Sequence, residues 1–361
     1  MSVVAVRAGV IGCGFQGRLH VDVLSRLPDV ELVAVADIDP DRAGGLAQEY
    51  DVAGSYTDYR RMLDAERLDL VTICTMPVHH AEMTLAAFSS GAHVLCEKPL
   101  AMNAAEGAAM VGAARKAGRF LAVGLNMRFM PNSTAIQSFI RDGGFGRPVY
   151  TRVVANDEIP WWGEHYRLEV SGGGALAASA VHLLDLALWF AGFPEPVSAS
   201  GSMATLFPKK RGSTAPSPAV AERYDAEDLF SAHVRFAGGF WLTIEGSWIG
   251  NQEPRPGPQP WDYELTAIGE RAQVWFDPLA IRGEAPDGST VDLLPSGTES
   301  DVSFPHSVER LIAEVVAAAR AGREPSVTGS QALVSQRIVD AIYLSARTGR
   351  EQPIPPLTLS P

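Results

Sequence analysis

The sequence predicts an α/β domain with a doubly wound parallel sheet, followed by an α+β domain with an open, mostly antiparallel sheet. The chain of 361 residues exceeds the usual size of a single hydrophobic core. All seven tryptophans lie after residue 160 and all three cysteines lie before residue 100, so the two halves differ in composition. The hydrophobic pattern changes in the same way, from continuous apolar runs to alternating hairpins. We therefore expect domains at residues 1–125 and 126–361.

The N-terminal half alternates short apolar runs with helical patterns. Strands are predicted at residues 6–11, 32–36, 70–74, 93–96 and 120–125, and helices near 15–25, 40–50, 80–90 and 103–117. Runs that are apolar on both faces are typical of parallel strands covered by helices on each side. This pattern predicts the doubly wound sheet.

The C-terminal half contains hairpin patterns. Residues 229–236 and 240–248 alternate apolar and polar side chains around Ala237-Gly238-Gly239, which predicts two antiparallel strands. Further strands are predicted at 263–268, 272–276, 149–155 and 197–204, and helices near 175–191, 307–321 and 330–345. These helices would cover one face of the sheet. The uncovered face predicts a homodimer or homotetramer.

Charge and composition exclude several classes of protein. A net charge of −12 gives no basic surface for nucleic acid or an anionic membrane. The cysteines lack the spacing of a metal site or a disulfide framework. We find neither a signal-peptide pattern nor a run of the ~18–20 apolar residues that a transmembrane helix needs. We expect a cytoplasmic protein that binds a small molecule, with loops at 208–226 and 250–260.

A glycine-rich turn follows the first strand. Gly12-Cys-Gly14-Phe15-Gln16-Gly17 precedes a predicted helix, and Asp37 ends the second strand twenty residues later. Glycines allow a tight turn and close approach to a pyrophosphate, while the helix N-terminus offers N–H groups and about half a unit of positive charge. Asp37 would bind the ribose hydroxyls and repel a 2′-phosphate, although Arg42 could favour NADP. The turn predicts a Rossmann domain that binds NAD rather than NADP.

Glu97-Lys98-Pro99 follows the strand predicted at 93–96, at the sheet edge where doubly wound folds bind ligands. A half-buried lysine can donate to a substrate oxygen and exchange a proton with it. A solvent-exposed lysine before a helix is the alternative. Pro99 restricts the backbone of Lys98 and allows a cis peptide bond.

A second group of polar residues follows Gly172-Gly-Gly174. His182 and Asp185 are three residues apart, so they share a helix face and the carboxylate could orient the imidazole. A core histidine bonded to a backbone carbonyl is the alternative. With only two candidate ligands, we predict no metal site.

Together these motifs resemble the Gfo/Idh/MocA oxidoreductases, a family that includes inositol and glucose–fructose enzymes. The resemblance covers the glycine turn, the segment 73–80, Glu97-Lys98-Pro99, the segment 123–129, the triple glycine with His182 and Asp185, and Ser345-Ala-Arg-Thr-Gly349. It implies a hydride transfer between a sugar or cyclitol carbinol and nicotinamide, with the site between the two domains. It also implies that Thr75, Pro77, His80, Glu97 and Lys98 line the nicotinamide side, and that Lys98 and His182 handle the proton.

Two positions depart from the family pattern. Many members carry an aspartate four residues before the histidine, where this sequence has Ala178, and a proline where it has Met76. An alanine can neither accept a hydrogen bond through its side chain nor carry charge. The first departure leaves the substrate's position, and the reaction itself, open.

The segment before the triple glycine supplies further substrate-side candidates. Trp161, Trp162, His165, Tyr166 and Arg167 combine indole faces, which suit a sugar ring, with hydrogen-bond donors. The alternative for the tryptophan pair is packing at the domain interface. Asn126 and Arg128, just past the strand predicted at 120–125, are also expected to point toward the cleft.

The sequence therefore predicts an NAD-dependent dehydrogenase of a sugar, glycoside or cyclitol. One alternative is NAD-assisted elimination or epimerisation with no net redox change. The other is a non-catalytic regulatory protein that senses a dinucleotide.

Overall fold

The computed structural model describes residues 5–160, 162–207, 217–249 and 262–357, with the side chain of Trp162 excepted. These residues form two compact units. The first unit runs up to Asn126 and includes Phe304–Leu333, whereas the second comprises Met127–Ser303 and a segment that begins at Val334. The predicted loop at 250–260 lies outside the described residues, as does 208–216 of the other. The rest of the predicted loop at 208–226 is wrong in part, because Pro218–Arg223 is a helix whose N-terminus is capped by Ser217.

The first unit contains a six-stranded parallel sheet with the order β3-β2-β1-β4-β5-β6. Its strands are β1 (Val6–Ile11), β2 (Val30–Ala36), β3 (Gly54–Tyr56), β4 (Leu70–Ile73), β5 (His93–Cys96) and β6 (Leu121–Val123). Its helices from this part of the chain are α1 (Phe15–Arg26), α2 (Pro40–Glu49), α3 (Tyr59–Ala65), α4 (His80–Ser89) and α5 (Ala104–Ala117). The predicted doubly wound sheet is confirmed, and β3 and α3 are additions to the prediction.

The strand register brings the predicted motifs to one edge of this sheet. Ile11 pairs with Ala36 on one side and with Ile73 on the other, and Ile73 pairs with Cys96. The residues that follow these four strand ends therefore emerge side by side. The strand order reverses between β1 and β4, which makes this edge the switch point where doubly wound sheets bind ligands.

The second unit contains a nine-stranded sheet with the order β14-β13-β12-β11-β7-β10-β9-β8-β15. Its strands are β7 (Pro148–Asn156), β8 (Pro196–Ala204), β9 (Leu229–Phe236), β10 (Trp241–Ser247), β11 (Asp262–Gly269), β12 (Ala272–Trp275), β13 (Ala280–Glu284), β14 (Thr290–Asp292) and β15 (Gln352–Pro353). Its first helices are α6 (Pro131–Arg141), α7 (Leu168–Ser171), α8 (Val181–Phe190) and α9 (Pro218–Arg223). Within this sheet, only the β7–β10 pair of the described strands is parallel, so the mostly antiparallel sheet is confirmed.

The last two helices divide between the units. α10 (Phe304–Ala321) packs on α1 and β1 of the first unit. The expectation that it covers the second sheet is therefore wrong, because an apolar helix face does not specify which sheet buries it. α11 (Gly329–Thr348) places Ile338 and Ile342 in the core of the second unit, as expected.

The face of the second sheet away from its core carries mixed side chains. Tyr150 stacks on Trp241, with 5.3 Å between ring centroids. Arg152 forms ion pairs with Glu245 and Glu264, both at 3.1 Å. This face is therefore amphipathic rather than uniformly polar.

One described stretch, Leu168–Phe190, is long and apolar enough by composition to cross a membrane. Its most apolar window is 94% buried within the protein. It therefore has the burial of a core helix.

Candidate functional site

The turn after β1 has the geometry that its glycines predict. Gly12 has a φ of +92°, and a Cβ there would lie 2.7 Å from the Cys74 carbonyl oxygen. A Cβ on Gly17 would lie 1.7 Å from the Gly12 carbonyl oxygen, so these two glycines close the turn. At Gly14 a Cβ would meet nothing within 4 Å, which leaves space on the outer side of the turn.

The N-terminus of α1 is directed into this space. Gly14 is its N-cap residue, no side chain of the described residues caps it, and Phe15 is 70% exposed beside it. N–H groups at a helix N-terminus attract anions such as a pyrophosphate. The turn therefore fits the phosphates of a dinucleotide.

Asp37 lies next to this turn at the end of β2. Its Oδ2 accepts a hydrogen bond from the backbone N–H of Cys13 (2.7 Å), and its Oδ1 accepts one from Asp39 (2.9 Å). Asp39, rather than Asp37, caps α2, and Arg42 is in an ion pair with Asp39 at 3.3 Å. The Asp37 side chain is thus held beside the glycine turn, in the place suited to ribose hydroxyls.

Lys98 follows β5 at the same sheet edge. It is half-buried, and its peptide bond to Pro99 is cis. Its backbone N–H donates to Oε2 of Glu97 (3.2 Å). The carboxylate of Glu97 is itself buried and accepts from Nε2 of Gln16 (3.3 Å). Contacts of Glu97 and Gln16 with a cofactor stay a prediction.

His80 connects the ends of β4 and β5. Its ring is fully buried, with Nδ1 2.9 Å from the Pro99 carbonyl oxygen and Nε2 3.1 Å from that of Thr75. Burial lowers the pKa of His80 despite these carbonyl contacts. Pro77 begins the short helical turn that leads to this histidine. These contacts connect the backbone of Pro99, next to Lys98, with that of Thr75. A cofactor contact of Thr75, Pro77 or His80 stays a prediction.

In the second unit, the triple glycine begins the helix that carries His182. A π-helical segment, Ala175–Ala180, continues directly into α8. A Cβ on Gly174 would lie 2.0 Å from the Glu227 carbonyl oxygen, and one on Gly173 would lie 2.0 Å from the hydroxyl of Tyr343. Close backbone approach therefore requires glycine at both positions.

Glu227 anchors this helix start. Its buried carboxylate accepts from the N–H groups of Gly174 (2.6 Å) and Leu176 (3.0 Å) and from the hydroxyl of Tyr343 (2.8 Å). Burial raises the pKa of Glu227 even though these hydrogen bonds favour the ionised form. Neither Glu227 nor Tyr343 was predictable from the sequence, because no local pattern connects residues so far apart in the chain.

Asp185 does not have the expected surroundings. Its carboxylate accepts from Nε (2.6 Å) and Nη2 (2.5 Å) of Arg128, and both side chains are almost completely buried. The Arg128 guanidinium also lies over the rings of Trp189 and Phe193. Asp185 therefore forms a buried ion pair with Arg128, and the prediction that it orients His182 is wrong. Helical spacing could not reveal this, because Arg128 lies on another element.

A polar network holds the helix one turn before His182. Ser179 donates its hydroxyl to Oδ2 of Asp157 (2.9 Å) and accepts from Nε1 of Trp248 (2.9 Å). The Tyr263 hydroxyl donates to the same carboxylate oxygen (2.9 Å). This network lies beside Ala178, and the sequence offered no signal for it.

The remaining substrate-side candidates are engaged within the protein. Asn126 is buried and donates to the hydroxyl of Ser307 (2.6 Å). Tyr166 is buried and accepts from Arg223 (3.2 Å), and Arg167 is in an ion pair with Glu164 at 2.7 Å. His165 is half-buried. Trp161 and the side chain of Trp162 lie outside the described residues, so their predicted roles are not examined by the structure.

The described ranges contain no group of three or more His, Cys, Asp or Glu side chains that could hold a metal ion. Lys98 belongs to the first unit and His182 to the second.

Comparison with protein-family models gives two matches. Residues 6–125 match the Gfo/Idh/MocA oxidoreductase family with its NAD-binding Rossmann fold. Residues 134–274 match the C-terminal domain of the same family.

Comparison with individual proteins gives relatives along nearly the whole chain. D-glucoside 3-dehydrogenase of Escherichia coli is 28% identical over 348 residues, covering 95% of this chain and 96% of that protein. Inositol 2-dehydrogenase of Rhizobium meliloti is 27% identical and covers 96% and 98%. The structure of levoglucosan dehydrogenase in complex with NADH and levoglucosan superposes with a TM-score of 0.82, 21% identity and coverage of 98% and 100%. This last likeness concerns the fold.

Proposed function

Because the chain belongs to the Gfo/Idh/MocA oxidoreductase family, we propose that it is an NAD-dependent dehydrogenase that acts on a CH–OH group of a sugar, glycoside or cyclitol. Relatives named as glucoside and inositol dehydrogenases support this substrate class. NADP is disfavoured because the Asp37 carboxylate would repel a 2′-phosphate and Arg42 is already in an ion pair with Asp39.

One observation carries the proposal. The glycine turn, Asp37 and Lys98 follow the ends of β1, β2 and β5 at the same edge of the first sheet, around its switch point. The N–H groups of α1 would bind the pyrophosphate and Asp37 the adenosine ribose, while bound NAD would supply the hydride acceptor. A polar side chain at the end of β5 is then suited to a substrate oxygen.

Two side chains, Lys98 and His182, would handle the proton of the reacting hydroxyl group. Lys98 would donate a hydrogen bond to the oxygen of the reacting carbinol and lower the cost of its developing negative charge. His182 would accept the proton that leaves this oxygen. Since Ala178 stands where many members of the family have an aspartate, Lys98 and His182 would act without a carboxylate at that position.

The test is a substrate screen with NAD⁺. Methyl β-D-glucoside, myo-inositol and levoglucosan are incubated with the protein while the absorbance of the reduced cofactor is followed. We expect turnover with at least one of them, and a Lys98→Ala variant should be slower by about 10²–10⁴-fold with its NAD⁺ affinity retained. Full activity of that variant would refute the role of Lys98.

The screen also separates the alternatives. A chemical change in the sugar without accumulation of NADH would identify elimination or epimerisation. NAD⁺ binding with no reaction across a broad panel would identify a sensing protein.

We propose further that the protein is cytoplasmic and assembles through the outer face of the second sheet. Trp241, which is 38% exposed and stacked on Tyr150, is the apolar centre of that face. Sedimentation of the wild type should give a dimer or tetramer, and Trp241→Arg should dissociate it. A monomeric wild type would refute the assembly.

A further inference from the structure

The segment that carries Lys98 rests on a buried carboxylate. Glu97 is 6% exposed, its own N–H donates to the Ile73 carbonyl (2.9 Å), and its Oε2 accepts the N–H of Lys98 (3.2 Å). The opposite oxygen, Oε1, lies 3.2 Å from Nε2 of His20. Glu97 thus links the Lys98 backbone to a histidine on α1.

The Glu97 carboxylate has little room to move. A Cβ on Gly124, just after β6, would lie 2.8 Å from three atoms of the carboxyl group. The backbone of the neighbouring strand therefore closes the space on that side. With Gln16 and His20 of α1 on the other side, the position of the carboxylate is set by its hydrogen bonds.

His20 is suited to balance this charge. Its ring is fully buried in α1, one turn beyond the glycine turn. Burial opposes protonation, but the Cys74 sulfur and the Glu97 carboxylate outweigh it and raise the pKa of His20 to about 10. The Glu97 carboxylate, 3.2 Å from Nε2, is the acidic side chain that this ring contacts. A buried carboxylate is costly unless it is paired in this way.

We infer that His20 is a positioning residue for Lys98, which it holds through Glu97. The inference rests on the proposed function, in which Lys98 binds the reacting oxygen. Helix α1, whose N-terminus would bind the pyrophosphate, would thereby also hold the backbone of Lys98 in place through His20 and Glu97. A misplacement of about 1 Å in such a group can lower a rate by about 10²-fold.

The test uses three variants and two measurements. His20→Leu removes the donor, whereas His20→Gln keeps a neutral donor near the Nε2 position. His93→Leu is the matched control, because His93 is a partly buried histidine at the opposite end of β5. The first measurement is the rate at which Lys98 reacts with acetic anhydride relative to the exposed Lys116, determined by peptide mass spectrometry without substrate. The second is kcat with NAD⁺ and the sugar found in the screen.

We expect His20→Leu to change the Lys98 to Lys116 ratio by at least about threefold and to lower kcat by about 10–100-fold. His20→Gln should restore most of both, and His93→Leu should alter neither. If His20→Leu does not fold, Glu97→Gln is measured in the same way, because it weakens the same contact from the other side.

An unchanged ratio in His20→Leu, or an equal change in His93→Leu, would overturn the inference. A fully active Lys98→Ala protein would instead refute the proposed function and leave the reactivity result standing.

Discussion

The buried pair of Arg128 and Asp185 allows a direct test of what the aspartate does. In Asp185→Asn the side chain keeps its volume but loses its charge. The Arg128 guanidinium then remains buried, at 2% exposure, and faces a neutral amide in place of the Asp185 carboxylate. Breaking a buried pair from one side costs about 3–5 kcal/mol of unfolding free energy. In a unit of this size, each 1 kcal/mol shifts the unfolding midpoint by about 2–4 °C. We therefore expect the midpoint to fall by about 6–20 °C.

The assay is thermal unfolding followed by circular dichroism, with kcat measured well below the transition. Glu270→Gln is the control, because it removes an exposed partner of Arg147 and should cost less than about 1 kcal/mol. Replacing both members, as Arg128→Met with Asp185→Leu, should recover much of the lost stability. An unchanged midpoint together with a large loss of kcat would refute the ion-pair explanation and restore the role of orienting His182.

Three further predictions follow from the first unit and the helix start. Asp37→Ala should raise the preference for NADP over NAD by about tenfold or more in kcat/KM, because it removes the charge that repels a 2′-phosphate; an unchanged preference would contradict this. Tyr343→Phe should lower the unfolding free energy by about 1–3 kcal/mol in urea titrations, because Glu227 loses a buried hydrogen bond; no change would contradict the anchor. The pKa of His20 is raised from 6.5 to about 10 in the folded protein, so its stabilisation is fully present below pH 6.5 and is lost as the pH rises through 10. The unfolding free energy of His20→Gln should therefore fall less steeply than that of the wild type over this range, and equal slopes would contradict it.

The sheet of the first unit, and the edge at which its motifs lie, were predictable because a parallel strand that is buried on both faces is a continuous apolar run in the sequence. Strands β1 and β5 begin and end at the predicted residues, since apolar runs bounded by glycine or charge leave little choice. β3 was missed because Gly54-Ser-Tyr56 is too short to show a period. Motifs that follow strand ends were placed correctly for the same reason, since the strand order alone brings those ends together.

The partners of the polar groups were not predictable. Asp185 and His182 do share a helix, as their spacing predicts, yet the carboxylate is bonded to Arg128, which is 57 residues away in the chain. Glu227 and His20 have no local motif, because their contacts arise only after the strands assemble. Sequence patterns identify which residues are buried together on one element, while the choice among distant partners depends on the tertiary fold.

Helix α10 belongs to the first unit although it comes late in the chain, and this has a consequence for synthesis on the ribosome. The layer that covers α1 and β1 is supplied by residues 304–321, so the first unit stays incomplete until these residues have emerged. Its assembly requires contacts between very distant parts of the chain, which slows folding and prolongs the exposure of apolar surface. A truncated protein that ends at residue 125 would lack this layer and should aggregate when expressed, whereas joining residues 304–333 to it by a short linker should yield a soluble fragment.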